Sequence, residues 1–432
     1  MRGQRAPDGL KRRSARQMGG RPRIGLALAG GGPLGAIYEV GALCALEEAI
    51  DGLDFTACDG YIGVSAGAFI AAGLANGMTP RQLCAAFIEN TAAAPDRFDP
   101  GALLQPAWHE FGHRLRLVPQ VLAGAAREVL LEGRSALGAI ERLGRALPTG
   151  LLSSERFGAA LKQVFTQPGR SDDFRQLRRP LVLVATDLDS GEAVPFGAPG
   201  WAHVPISQAV QASAALPGLF PPVEIDGRHY VDGALKKTLH ASVLLDRGLD
   251  LLICLNPLVP YASDRRSTAR EDRSRRARGL ARRLGRPAGR ALQPHIHRLV
   301  DGGLPLVLSQ TFRALIHSRL ALGMKGYELT HPQTDILLFE PDPRDAELFL
   351  ANTFSYRQRR HLAEHAYQAT RALLRERADT LAPQFARAGL RLRGDVLANR
   401  DARLLPEPGD TRLDQALRSL RRSLSQLEAR AA

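Results

Sequence analysis

The chain has 432 residues, of which 44% are hydrophobic, so it is long enough to bury a large core in one main domain with an appendage. Its four cysteines have no paired spacing, which excludes a disulfide framework and indicates a reducing compartment. No run of about 18 apolar residues is present, so the sequence predicts no membrane-spanning helix. The net charge of +14 favours an anionic partner.

The N-terminal residues 1–22 are basic and glycine-rich and contain no apolar core of a signal peptide. They are therefore predicted to be a disordered arm and not a secretory signal, which indicates a cytoplasmic protein. Because nearly all basic residues of the chain are Arg, the charge has two explanations: selection for an anionic partner, or the codon composition of a GC-rich genome.

Two strand–turn–helix units are predicted after this arm. The apolar run Ile24–Ala29 predicts a strand, and apolar residues at helical spacing predict the helix that follows it: Ile37, Val40, Leu43 and Leu46. A second strand is predicted within Phe55–Val64, and its helix runs through Ala66–Ala75 and stops at Asn76-Gly77, a C-cap signal. Two such units indicate an α/β fold with a mostly parallel sheet.

The rest of the chain alternates strands with less regular regions. Three apolar runs are typical of strands buried on both faces: Leu181–Ala185, Leu251–Leu255 and Ile336–Phe339. Residues 95–150 mix helical spacing with Pro and Gly and are interpreted as a cover over a site. Residues 262–298 are dense in Arg and predict a solvated insertion.

A main domain is therefore expected over residues 23–340, followed by a helical C-terminal extension over residues 341–432. In the last part of this extension, leucines recur at alternating steps of four and three, which predicts an amphipathic helix: Leu413, Leu417, Leu420, Leu424 and Leu427.

The turns of the two strand–helix units offer complementary chemistry. The first contains Gly30, Gly31, Gly32 and Gly35 in a G-x-G-x-x-G pattern and supplies closely spaced backbone N–H groups at a helix N-terminus. The second, Gly63-Val64-Ser65-Ala66-Gly67, is a G-x-S-x-G that presents a serine on a sharp turn. Together they predict an oxyanion hole beside a nucleophile, the two parts that an acyl-transfer enzyme needs.

A third motif follows in residues 205–235. Ser207 is expected to cap a short helix, and Asp226-Gly227 predicts the turn of a β-hairpin. The returning strand ends in Asp232-Gly233-Ala234, whose small residues allow another side chain to approach closely. From spacing alone, Asp232 is equally well interpreted as a turn residue or as a catalytic carboxylate.

These motifs, with Ala212-Ser213-Ala214-Ala215-Leu216-Pro217 between them, occur in the order found in the patatin-like phospholipases, which the chain resembles over residues 22–260. The resemblance implies a three-layer α/β/α sandwich and a Ser–Asp dyad without histidine. Ser65 would match the nucleophile, Asp232 of the D-G-A motif the general base, and the amides of Gly30, Gly31 and Gly32 the oxyanion hole. A dyad of this kind needs no metal, and no cofactor is expected.

One position departs from the family pattern. Leu34 stands where the family usually has Arg or Lys, so a cation near the glycine turn is missing. The backbone donors are unaffected, because they belong to the main chain. The change bears on the headgroup of the substrate, which the sequence leaves open.

Three alternative enzyme classes remain. Gly30, Gly32 and Gly35 also fit a dinucleotide fingerprint with Asp54 as the ribose-binding acid. An α/β-hydrolase would instead pair Ser65 with a later histidine. The candidates for that histidine are His331 and His361.

The third alternative is a zinc hydrolase. His109-Glu110-Phe111-Gly112-His113 is an H-E-x-x-H, which on a helix places two imidazoles on one face, with Glu132 or Glu128 as a third ligand. A non-enzymatic class also remains, namely a catalytically inactive relative that binds lipid or a protein partner without turnover.

The sequence thus predicts a hydrolase that releases fatty acid from a phospholipid or neutral lipid through an acyl-Ser65 intermediate. Nucleic acid is not expected as a partner, because the Arg-rich residues 262–298 contain no interleaved aromatic side chains. Peripheral association with a membrane surface is expected, with contributions from the basic arm, the Arg-rich insertion and the amphipathic C-terminus.

Overall fold

The structure is a computed structural model, and it describes residues 21–92, 106–107, 149–236, 239–262, 299–350 and 356–405. Almost all of the expected N-terminal arm and of the cover, and nearly the whole Arg-rich insertion, lie outside these ranges. The leucine stripe near the C-terminus and the H-E-x-x-H also lie outside the described residues. The predictions made for them stay predictions.

Eight strands of the described ranges form one mixed sheet in the order β6-β7-β4-β3-β1-β8-β9, with β5 paired to β4. The pairs among β4, β3, β1, β8 and β9 are parallel, and β5, β6 and β7 join in antiparallel pairs. The strands are β1 (Ile24–Leu28), β2 (Ile50–Asp51), β3 (Gly60–Val64), β4 (Leu181–Asp187), β5 (Ala193–Phe196), β6 (Val223–Ile225), β7 (Arg228–Asp232), β8 (Leu251–Leu255), β9 (Asp335–Phe339) and β10 (Arg391–Leu392).

The α-helices of the described ranges are α1 (Gly32–Ala49), α2 (Ala66–Ala75), α3 (Pro80–Leu83), α4 (Glu155–Phe165), α5 (Ile206–Ser213), α6 (Ser242–Leu245), α7 (Gly303–Thr330), α8 (Ala346–Leu350), α9 (Tyr356–Glu376), α10 (Ala378–Arg387) and α11 (Gly394–Ala398). Among them, no helix is both long enough and apolar enough to cross a membrane.

Helices cover both faces of the sheet, which confirms the predicted three-layer α/β/α arrangement with a mostly parallel sheet. One core cluster lies on the face covered by α1 and α2, and the other on the face covered by α6 and α7. Strands β1, β3, β4 and β8 are buried along their whole length. Unbroken apolar runs are what a strand between two helix layers requires, because both of its faces are buried.

Helix α1 is buried from Gly35 to Leu46 without interruption, because α9 packs on the side that faces away from the sheet. The two helices approach closely at Gly41, where a β-carbon would lie 2.5 Å from the carbonyl oxygen of Ala363. The helical spacing in the sequence predicted this helix, but it indicated only one buried face.

The helical C-terminal part is present and is continuous with the main core. Leu362, Ala366 and Tyr367 of α9 belong to the same buried cluster as α1. The short strand β10 pairs antiparallel with β2. Arg371 is fully buried, and its Nη2 donates to the carbonyl oxygens of Val396 and Asn399 at 2.6 and 2.8 Å, which ties α9 to α11.

The strands and turns nearest the site follow the sequence prediction, with one correction. Helix α2 ends at Ala75 before Gly77, which has a φ of +81°, and the hairpin turn uses Asp226 and Gly227 with φ values of +51° and +73°. Ser207, however, is not the cap of α5. It is the second residue of the helix, and its N–H and hydroxyl donate to the carboxylate of Asp172 at 2.6 and 2.7 Å.

Candidate active site

Ser65 lies on a strained turn between β3 and α2. Its φ of +54° is in the left-handed region, which costs energy for any residue with a β-carbon and is characteristic of a nucleophile at the end of a strand. The flanking glycines make the turn possible, because their main chains touch other backbone. A β-carbon would lie 2.5 Å from the Gly67 oxygen at Gly63, and 2.5 Å from the Leu28 oxygen at Gly67.

The register of the sheet brings Asp232 to this turn. On β4, Val184 pairs with Val64 of β3, and the next residue, Ala185, pairs with Asp232 of β7. Strand β5 pairs with one edge of β4, so β3 and β7 both pair with the opposite edge. On that edge β7 begins to pair where the pairing of β3 ends, at Val64. The two strands therefore meet end to end, with Ser65 following one and Asp232 ending the other.

The two side chains are hydrogen bonded. Ser65 Oγ donates to Asp232 Oδ2 at 2.6 Å, and the N–H of Ala234 donates to Asp232 Oδ1 at 2.9 Å. Asp232 is only 3% exposed, and this burial raises the pKa of its carboxyl to about 6, although the hydrogen bonds from Ser65 and Ala234 oppose the shift. A carboxylate with this pKa is ionised at neutral pH and is a stronger base than an exposed Asp.

The small residues after Asp232 are needed for this packing. A β-carbon on Gly233 would lie 2.1 Å from the Val184 carbonyl oxygen, so only glycine lets the chain pass β4 at this distance. Arg319 of α7 donates from Nη1 to the carbonyl oxygen of Leu235 at 2.7 Å, which supports the same turn from the other side. No pattern in the sequence indicates this contact, because 84 residues separate the two partners.

Ser213 holds the backbone of Ser65 in place. The N–H of Ser65 donates to Ser213 Oγ at 2.8 Å, and that hydroxyl donates to the Val184 carbonyl oxygen at 2.6 Å. The serine is fully buried at the end of α5. It belongs to the block that supported the family resemblance, so the motif pointed to the residue without indicating its contact.

The glycine turn lies directly against the Ser–Asp pair. A β-carbon on Gly30 would lie 3.0 Å from Ser65 Cβ and 3.1 Å from Ala234 Cβ. Gly31 precedes α1, and a β-carbon there would lie 2.6 Å from Pro257 Cγ. Gly32 has a φ of +58°, and Gly35 N–H donates to the Gly31 carbonyl oxygen at 2.9 Å to start the helix.

The N–H groups of this turn lie before Gly35, the first residue whose N–H donates a helical hydrogen bond. Ala29 N–H is bonded to the Leu255 carbonyl oxygen at 3.0 Å, and the helical pattern resumes at Gly35. Within the described part of the chain, the N–H groups of Gly30, Gly31 and Gly32 are not used by main-chain partners. Unpaired donors at a helix N-terminus form a ready site for a negative oxygen.

Leu34 lies one residue beyond this turn, is partly exposed and packs against the core. It lines a cleft together with Tyr38, Pro257 and Arg313. Arg313 Nη1 donates to the Val259 carbonyl oxygen at 3.3 Å, and its guanidinium lies 5.1 Å from the ring centroid of Phe349. A cation from α7 is therefore present in the cleft that adjoins Leu34.

The structure pairs the acid and the histidines of two alternative interpretations, Asp54, His331 and His361, with residues other than Ser65. Asp54 precedes β3 and is used in a local turn, where its Oδ1 accepts from Thr56 N–H at 2.8 Å. His331 pairs with Asp246 at 3.2 Å, at the edge of the sheet where β8 begins, whereas Ser65 follows the end of β3. His361 contacts Glu347.

Within the described ranges, no three His, Cys, Asp or Glu side chains are arranged to hold a metal ion. His109, His113, Glu128 and Glu132 lie outside those ranges. The four cysteines, Cys44, Cys58, Cys84 and Cys254, are free and buried.

Comparison with known families agrees with this geometry. The family model described as Patatin-like phospholipase matches residues 26–245, which include the glycine turn, Ser65 and Asp232. The chain belongs to the patatin-like phospholipase family, a class of lipid hydrolases.

Curated relatives include uncharacterized NTE family proteins of Mycobacterium bovis and Mycobacterium tuberculosis, both 31% identical over 107 residues. The aligned part covers 25% of this chain and 27% of theirs, so it spans only about a quarter of the relatives' length.

Among solved structures, VipD of Legionella pneumophila aligns with a TM-score of 0.36 and 16% identity, over 83% of this chain and 67% of VipD. ExoU, a type III effector of Pseudomonas aeruginosa, aligns with a TM-score of 0.33 and 18% identity, over 83% and 53% of the two chains. Both superpositions are loose.

Proposed function

We propose that this chain is a lipid acyl hydrolase that cleaves fatty-acyl esters of a phospholipid or neutral lipid through an acyl-Ser65 intermediate. The observation that carries the proposal is the 2.6 Å hydrogen bond from Ser65 Oγ to the buried carboxylate of Asp232. Membership of the patatin-like phospholipase family supports the class of substrate.

In the first half of the proposed reaction, Asp232 takes the proton of Ser65 as Oγ attacks the acyl carbonyl carbon. The tetrahedral intermediate carries a negative oxygen, which the amides of Gly30, Gly31 and Gly32 would bind. Each preorganised donor of this type contributes about 3–4 kcal/mol to the transition state. When the intermediate collapses, the ester C–O bond breaks and Asp232 gives its proton to the leaving alcohol.

The second half returns the enzyme to its starting state. A water molecule gives one proton to Asp232 and attacks the acyl-Ser65 carbonyl carbon through the same oxyanion site. Collapse releases the fatty acid, and Ser65 Oγ recovers its proton from Asp232. The same carboxylate therefore acts as base and then acid in each half, which suits a pKa of about 6.

The surroundings support this assignment of roles. Ser65 is held in its strained backbone conformation by Ser213, so Oγ is aimed before substrate arrives. Asp232 is fixed by the N–H of Ala234, which leaves the other carboxylate oxygen for the serine. Two helix N-termini, those of α1 and α2, begin at the site and favour negative charge there.

The test uses mixed phospholipid vesicles and a soluble short-chain nitrophenyl ester. The wild-type chain is expected to release free fatty acid, measured by mass spectrometry of the products, and Ser65→Ala is expected to release none above a mock preparation. Thermal unfolding of Ser65→Ala beside the wild type is the folding control, and the two melting temperatures are expected to agree. Turnover by Ser65→Ala at a substantial fraction of the wild-type rate would contradict the proposal.

A further inference from the structure

The exposed apolar residues of this protein are concentrated on one helix. Eight of the eleven large hydrophobic side chains that stand exposed in the described ranges belong to α7 and the turn before it. Exposed fractions reach 69% for Leu304, 50% for Leu315 and 82% for Leu329. Single exposed leucines need no explanation, but a contiguous group on one element marks an interaction surface.

Helical spacing puts these side chains on one face. Leu304, Leu308, Phe312 and Leu315 follow each other at steps of four and three residues, and Leu322 and Leu329 continue the same row at steps of seven. The other face of the helix packs on the sheet through its buried residues, Ile316, Leu320 and Met324. Helix α7 is thus apolar on both faces while only one is covered.

The N-terminal half of α7 lies at the edge of the sheet that carries the candidate active site. Gln310 exchanges hydrogen bonds with the main chain of Tyr261, and Arg319, near the middle of the helix, donates to Leu235, three residues after Asp232. The opposite end of the helix lies at the other edge, since Thr334, just beyond it, bonds to Leu249, which precedes β8. Leu304 to Leu315 therefore lie on the side of α7 that extends towards the edge of the sheet with the site, and Leu315 stands one helical turn before Arg319.

The charges on and beside this face are mostly positive. On the outward half of α7 that carries the leucine row, the charged side chains are Arg319 and Lys325, both exposed, and the turn before the helix adds one exposed acid, Asp301. Glu328 of the same helix lies off this face by helical spacing. An apolar row bordered by cations complements a surface that is apolar inside and anionic outside, which is the character of a bilayer with acidic lipids.

We propose that Leu304, Val307, Leu308, Phe312 and Leu315, which we call the α7 apolar surface, dock this protein on an anionic lipid bilayer. The inference rests on the proposed lipid hydrolase function, because it names how the site reaches its substrate. Insertion of these side chains among the acyl chains places the edge of the sheet that carries Ser65 next to the lipid surface. Arg319 both borders this surface and supports the turn after Asp232, so docking acts next to the catalytic carboxylate.

The experiment measures binding separately from hydrolysis. Full-length protein carrying Ser65→Ala is sedimented with vesicles of phosphatidylcholine and phosphatidylglycerol, or of phosphatidylcholine alone. The test variant adds Leu304→Gln, Leu308→Gln and Phe312→Gln, and the control adds Leu329→Gln, which changes a more exposed leucine at the opposite end of the helix. The triple variant is expected to lower partitioning onto anionic vesicles roughly tenfold or more, and the control less than twofold.

Vesicle binding at high salt distinguishes apolar docking through this surface from electrostatic adsorption by arginines elsewhere in the chain. At about 1 M salt, where charges are screened beyond about 3 Å, the parent protein is expected to retain part of its vesicle binding and the triple variant almost none. Loss of all binding of the parent protein at high salt would contradict apolar docking. So would equal loss in the triple variant and the Leu329→Gln control.

A second copy of the chain is the competing occupant. Sedimentation velocity without lipid is expected to show the same mass for the parent protein and the triple variant, and a dimer abolished by the triple variant would overturn the proposal. The single variant Leu304→Gln, at a side chain 69% exposed, repeats the test if the triple variant has a lowered melting temperature. In the active background, the triple variant is expected to keep hydrolysis of the soluble nitrophenyl ester, so failure of docking and failure of the proposed chemistry give different results.

Discussion

Helices α1 and α7 cover opposite faces of the same sheet, and their environments differ. Helix α1 is buried from Gly35 to Leu46, because α9 closes over the side that the sheet does not cover. Helix α7 has 28 residues and rests on the sheet through one row, while the leucines of its other face stand exposed. Both helices carry apolar side chains on two faces.

The difference shows that two helices with apolar residues on two faces can have different environments in one fold. In α1 both apolar faces are buried inside the molecule, and the turn with the amides of Gly30 to Gly32 leads directly into this helix. In α7 the second apolar face is not covered by any described element of the chain, and we assign its contact to a lipid surface. The candidate active site lies between them, with the amides on the α1 side and the Asp232 turn supported from the α7 side by Arg319.

The largest effect is expected where the two sides meet, at Asp232. Asp232→Asn is nearly isosteric but cannot take the serine proton, so kcat for a soluble ester should fall by roughly 10²- to 10⁴-fold. Asp226→Asn, in the exposed hairpin turn, is the matched control and should change kcat less than twofold. Similar behaviour of the two variants would mean that the carboxylate of Asp232 has no special role.

The next effect concerns the α1 side alone. In Gly30→Ala, the added β-carbon would lie 3.0 Å from Ser65 Cβ, so the turn must shift and its amides leave the position of the oxyanion. The rate should fall roughly 10²- to 10³-fold, as when one oxyanion donor is lost. Gly77→Ala, at a positive φ with open space around it, should cost about 1 kcal/mol of stability and leave the rate unchanged. Equal rates of hydrolysis in the two variants would contradict a role of the glycine turn in the reaction.

Burial of Asp232 also predicts how activity and stability depend on pH. Hydrolysis of a soluble ester should rise with pH through about 6, the pKa of this carboxyl, and then level off. The folded chain holds the Asp232 proton more tightly than the unfolded chain does. The ionised carboxylate therefore lowers stability progressively between about pH 4 and pH 6 and fully above that.

Asp232→Asn removes this cost. At pH 8 the variant should have a higher free energy of unfolding than the wild type, by up to about 3 kcal/mol, and the difference should shrink at pH 4.5. Thermal unfolding at the two pH values measures it. A variant less stable than the wild type at pH 8 would contradict the account of a buried, costly carboxylate.

The smallest effects compare the two helices directly through one kind of substitution. Gly41→Ala in α1 puts a β-carbon 2.5 Å from the Ala363 carbonyl oxygen and should destabilise the fold by about 1–3 kcal/mol. Gly326→Ala in α7 meets nothing within 4 Å and should stabilise it by about 0.5–1 kcal/mol, because alanine favours the helix. Urea unfolding of both variants tests the contrast, and a destabilising Gly326→Ala would mean that this side of α7 is covered.

The sequence predicted those parts of the fold and site that local chemistry determines. Strands β1, β3 and β8, the end of α2 before Gly77 and the hairpin at Asp226 are specified by nearby residues. Ser65 and Asp232 were chosen from their motifs, and the structure brings them within hydrogen-bond distance. Their catalytic roles stay predictions until they are measured.

What the sequence did not predict depends on partners far along the chain. The cover on α1 comes from residues more than 300 positions later, so helical spacing could not indicate a second buried face. Ser207 looked like a cap, but Asp172 from an earlier loop caps the helix instead. The contact of Arg319 with Leu235 joins two segments with no shared pattern.

The central claim is that Ser65 is the nucleophile activated by Asp232. Labelling of the full-length protein with a fluorophosphonate probe, followed by peptide mass spectrometry, tests it most directly. We expect one covalent adduct on Ser65, no adduct in Ser65→Ala, and labelling of Asp232→Asn slowed by roughly 10²-fold or more. An adduct on a different residue, or ester hydrolysis that continues in protein with Ser65 fully labelled, would contradict the account.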